Sequence, residues 1–186
     1  MFIAYFFAPY LKHYLQPMID TFRNRVQNEE IKLTLDSIFF NNLYVAVMIF
    51  FGAILLGLIT AILLISNGLF IGYFATTLPL DTFLLLTLPH GIFEISGIII
   101  AGAGGFSLIS FIVNFLKDLV SFEKNQWGEF PKLRERVMFS FDNNYKKLYQ
   151  SFILLGVAIT LIFIAAIIEV YVTINLANFL IEFFNH

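Results

Sequence analysis

The sequence predicts an all-α, polytopic membrane helical bundle of about four to five spans, counting broken or re-entrant helices. Composition is the first observation: 59% of the 186 residues are hydrophobic and only 13% are charged, whereas soluble domains average roughly 25% charged residues. So few charges cannot cover a water-facing surface of this size. Mean hydropathy, +0.84, agrees. The third observation is where the charges sit. All eleven Lys and Arg residues fall in two stretches, Lys12, Arg23, Arg25 and Lys32, then Lys117, Lys124, Lys132, Arg134, Arg136, Lys146 and Lys147. Positions 37–116 and 148–186 contain none. A net charge of −2 provides no basic footprint for nucleic acid. The absence of cysteine excludes disulfides, cysteine zinc sites and thiol catalysis.

Four segments follow in order. Residues 1–36 form an amphipathic cytoplasmic or interfacial segment: Leu11, Leu15, Met18, Phe22 and Val26 recur at helical spacing, with Pro17 as a possible break. A helix packed under the bundle explains the same spacing equally well. Residues 37–116 are the membrane region. Its first span runs from about Phe39 to Ile65, and helix breaks are expected at Asn67-Gly68 and at Pro89-Gly91. Residues 117–147 form a basic loop in which Pro131 opens an amphipathic helix and Trp127 beside Phe130 suits an interfacial anchor. Residues 148–186 hold the last span and an interfacial tail. Basic flanks remain cytoplasmic, so both basic stretches, 12–32 and 117–147, are expected on the cytoplasmic side of the cell membrane. The region between them must then cross an even number of times.

Seven polar residues stand inside apolar sequence: Asn41, Asn42, Thr60, Asn67, His90, Glu94 and Glu169. A charge at the bilayer centre costs at least ~2.5–3.5 kcal/mol. The two carboxylates therefore need a partner, water or a proton. His90 and Glu94 are four residues apart and share a helix face. That face continues through Gly97, Ala101 and Gly105, all within an arc of about 80°. Small residues at this spacing let backbones approach closely in membranes, and Gly68 with Gly72 repeat the device. Pro89 and Gly91 flank His90. No catalytic motif is present: His-x-x-x-Glu is not a metalloprotease signature, and Ala-Gly-Ala-Gly-Gly at 101–105 lacks the lysine of a phosphate loop. The expectation is a non-enzyme without cofactor. His90, Glu94 and Glu169 are a minimal metal-ligand set without zinc-signature spacing.

At these residues the chain resembles the stage II sporulation protein M family of integral membrane proteins. The resemblance rests on Asn41-Asn42; Gly52, Gly57 and Thr60; Asn67-Gly68 with Gly72; Leu88-Pro89-His90-Gly91-Ile92-Phe93-Glu94 with Ala101-Gly102-Ala103; and Ala165-Ala166-Ile167-Ile168-Glu169. It covers about residues 37–175. It implies a multispan helical protein of roughly five passes. Members in spore formers anchor a complex that contains peptidoglycan-degrading enzymes.

Two functions follow as expectations. One is a membrane scaffold or assembly protein whose partners are the lipid bilayer, other membrane or envelope proteins and further copies of itself. The other is a small transporter, channel or exporter with a midplane site lined by Asn67, His90, Glu94 and Glu169.

Overall fold

A computed structural model describes residues 5–28, 34–55, 57–122, 131–176 and 179. Among these residues there are no strands. Five α-helices follow one another: α1 (Ala8–Gln27), α2 (Leu35–Gly52), α3 (Leu58–Phe74), α4 (Leu80–Val120) and α5 (Leu133–Ile168). A π-helical turn, Glu169–Thr173, prolongs α5. Helices α2, α4 and the continuous stretch Leu133–Leu176 are long and apolar enough to cross a membrane, and α3 is a shorter apolar helix of 17 residues. An all-α membrane bundle is the architecture the composition requires, because backbone amides in hydrocarbon must pair within their own segment. Trp127, Phe130 and most of the expected tail lie outside the described residues.

The helix breaks are not where the sequence placed them. Asn67-Gly68 lies inside α3, where Asn67 Nδ2 donates to the Leu63 carbonyl at 2.9 Å. The amide that would favour a turn in water is satisfied one helical turn back. Pro89 and Gly91 likewise lie inside an unbroken α4. Pro89 removes one backbone donor, but an apolar setting gives the flanking amides nothing better than the helix. The chain turns instead between α2 and α3, at residues 53–55 and 57. Gly57 has φ +73°, a left-handed conformation in which L side chains are strained. The turn folds α3 back on α2, and Thr60 Oγ1 donates to the Ile49 carbonyl at 2.6 Å.

The core is the antiparallel pair of α4 and α5, with α2 laid along both. Contacts along the pair run in opposite directions: Gly97 faces Ala158 and Ile162, Gly104 faces Ser151 and Leu154, and Ser107 Oγ donates to the Lys147 carbonyl. The stripe expected from Gly97, Ala101 and Gly105 is therefore used within the chain. Ala101 packs with Ala46, Ala158 and Ile162, and Gly105 abuts the Phe50 carbonyl and Ala53. Small residues here remove bulk so that three helices meet. Helix α1 runs unbroken through Pro17 and seats Leu15 and Ile19 on Tyr73 of α3, with Tyr73 Oη donating to Gln16 Oε1 at 2.7 Å.

Three helical legs, α2, α3 and α4, lie between the two basic stretches. Helix α3 ends where Phe74 meets Phe83 near the start of α4, and α1 packs there. Lys117 lies 34 residues further along α4, about 50 Å at helical rise.

Candidate functional site

The site forms where the first third of α4 meets the end of α5. His90 and Glu94 lie on one face of α4, four residues apart, as their spacing dictates. Glu169 comes from the other helix, at the first position of the π-helical turn. One ligand-capable atom from each of these residues lies within 4.8 Å of the other two. The ring of His90 is held by Thr173, the last residue of that turn, with Nδ1 and Oγ1 3.1 Å apart. All three residues are partly buried. Among the described residues neither glutamate has a hydrogen-bond donor, and no Lys or Arg side chain reaches them.

Not every residue singled out from sequence joins this cluster. Thr60 is fully buried but serves the α2–α3 turn through its bond to Ile49. Asn67 bonds within its own helix. Asn41 is exposed and Asn42 only half-buried, so the asparagine pair is not part of the polar core. Of the glycines, Gly72, Gly91, Gly97 and Gly105 are buried and Gly68 is half-buried. Sequence reasoning missed Thr173. It stands four residues beyond Glu169, the same separation that paired His90 with Glu94, and that spacing was the available signal.

The charged boundary of the α4–α5 pair is marked by Lys147, whose Nζ donates to Ser110 Oγ at 3.2 Å. His90 lies 17 residues before Ser107, about 26 Å away along α4. A cavity of about 270 Å³ opens nearby between α3 and α4, lined by Ile71, Phe83, Thr87, Gly91 and Ser96 among others. Neither His90 nor the glutamates line it. Of the four residues expected to line one site, His90, Glu94 and Glu169 come together, while Asn67 bonds within α3.

Chemically, the arrangement offers an imidazole and two carboxylates facing one another in a partly dry setting. It can share a proton, hold a cation, or cross-link two helices.

Comparisons with known proteins follow the same residues. The family model for stage II sporulation protein M matches residues 1–174. An uncharacterized protein of Methanocaldococcus jannaschii is 35% identical over 156 residues, spanning 81% of this chain and 77% of the relative. A second uncharacterized protein of that organism is 27% identical over 167 residues, 87% of this chain and 68% of the relative. No solved structure matches. With the family pattern running from α1 through the π-helical turn that carries Glu169 and Thr173, this chain belongs to the stage II sporulation protein M family.

Proposed function

We propose that the protein is a non-enzymatic membrane scaffold or assembly factor that recruits other membrane or envelope proteins and further copies of itself. The observation that carries this reading is the helical stalk beyond Lys147. Residues 133–147 of α5 extend roughly 20 Å alongside the end of α4. The two are fastened by Asn143 and Asn144, which both donate to Asp118 Oδ2 at 2.7 Å, by Phe111 against Phe141, and by Arg136, which donates to the Leu119 carbonyl. This charged stretch belongs in water, yet Met138 is 53% and Phe139 58% exposed. Apolar side chains on a rigid, solvated support fit a partner surface. In this reading the stalk faces the cytoplasm, the side that its basic residues favour. Arg134 and Glu135 are also exposed there and would rim such a contact.

Affinity purification of the intact chain from its native membranes tests this. The wild type and Glu94→Gln are expected to retain the same partner set, because glutamine keeps the packing between α4 and α5. A Met138→Ser, Phe139→Ser double variant should lose that set with helical circular dichroism unchanged. Partners kept by the double variant, together with ion flux in liposomes that Glu94→Gln abolishes, would overturn the scaffold in favour of a small transporter.

A further inference from the structure

We propose that His90, Glu94 and Glu169 form a binding site for one divalent transition-metal ion, with Thr173 orienting the histidine. The inference rests on the cluster alone and is independent of the stalk.

Four observations lead to it. The first is convergence from two helices: three ligand atoms lie within 4.8 Å of one another. Metal bonds of ~2.0–2.2 Å put tetrahedral ligands ~3.4 Å apart, so small rotations of the two glutamates close the set around an ion. The second is the contact between His90 Nδ1 and Thr173 Oγ1. With Nδ1–H donating to that hydroxyl, the lone pair on Nε2 is left free for a metal. An outer-shell hydrogen bond that fixes the tautomer is how proteins present imidazole to a metal.

The third observation is charge. Two carboxylates face each other with no Lys or Arg in positions 37–116 or 148–186, and neither has a hydrogen-bond donor among the described residues. A divalent cation neutralises both at once where hydrocarbon disfavours any net charge. The fourth is the π-helical turn, Glu169–Thr173. Such turns are rare and concentrate at functional sites. This one begins at a ligand and ends at the residue that orients another, joining both to one face of the helix end.

The donor set narrows the ion. Imidazole with carboxylates suits zinc, manganese or ferrous iron. Calcium prefers six to eight oxygen ligands, and magnesium near-ideal octahedral oxygen geometry. Three protein ligands leave a coordination position for water or a group from a partner. The bound ion would pin the start of α4 to the end of α5.

The test uses the intact chain without a polyhistidine tag, purified in detergent and stripped with chelator. Zn²⁺ alone and Mn²⁺ alone are titrated by calorimetry, and bound metal is counted by mass spectrometry. One equivalent of Zn²⁺ or Mn²⁺ is expected. Glu94→Gln with Glu169→Gln, which preserves shape, should abolish it, and Thr173→Val should weaken affinity by about tenfold or more. Helical circular dichroism of the metal-free variants confirms that they fold. Absence of stoichiometric binding in the wild type overturns the proposal, as does binding of unchanged affinity in the double glutamine variant.

Discussion

Gly105→Ala is expected to destabilise the protein by about 3 kcal/mol, the upper range for forcing extra atoms into a packed core. A Cβ at this position would sit 2.5 Å from the Phe50 carbonyl oxygen, 3.0 Å from Ala53 Cβ and 3.2 Å from the Phe50 carbonyl carbon. Two of those atoms are backbone, so rotating a side chain gives no relief and α2 must move away from α4. Moving α2 disturbs Phe50, which is fully buried and packs on Phe152 of α5. The control is Gly156→Ala on the exposed side of α5, where an added Cβ meets nothing within 4 Å. Alanine is the better helix former by about 1 kcal/mol, so this variant should lose nothing. Reversible unfolding in mixed detergent micelles measures both. Equal effects of the two substitutions would contradict the three-helix seam.

Gly57→Ala is expected to cost a similar amount, about 3 kcal/mol, from two separable sources. The left-handed backbone at φ +73° costs an L residue roughly 1–2 kcal/mol. The new Cβ would also lie 2.5 Å from Phe106 Cε1, an overpacking cost of about 1–3 kcal/mol. Here the colliding atom belongs to a side chain. Truncating it with Phe106→Ala should therefore rescue the steric part and leave the backbone part. A double-mutant cycle in the same unfolding assay should show coupling of about 1–2 kcal/mol. Strict additivity of the two substitutions would contradict the contact.

The contrast between these two glycines shows what a sequence discloses about such a bundle. Residues related by helical period were legible: His90 with Glu94, and Gly97, Ala101 and Gly105 on one face, because the repeat geometry of a single helix fixes them. Which helix a face meets was not. The small-residue stripe packs against Ala158, Ile162, Phe50 and Ala53, a tertiary choice that no local period encodes. Helix breaks were misread for a related reason. Asn-Gly and Pro interrupt helices in water, where freed amides find solvent, but inside an apolar stretch the Leu63 carbonyl is the partner Asn67 finds. The turn between α2 and α3 is marked only by Gly52 and Gly57, whose apolar neighbours carry no turn signal.

The polar cluster was half legible. Intramembrane His90, Glu94 and Glu169 stand out by their cost, and the fold unites them across some eighty residues. Asn41, Asn42 and Asn67 stood out by the same criterion and went elsewhere, since amides can be satisfied locally or at an interface while carboxylates require company.

The convergence of α4 with the π-helical turn is the claim on which the rest depends, and the natural absence of cysteine makes it directly measurable. Paired cysteines at Glu94 and Glu169, treated in native membranes with thiol cross-linkers of graded length, should join with the shortest reagents. A pair at Glu169 and Val113, separated by the 19 residues of α4 between positions 94 and 113, about 28 Å, should resist all of them. Failure of the first pair, or equal linkage of both, would contradict a cluster held between these helices.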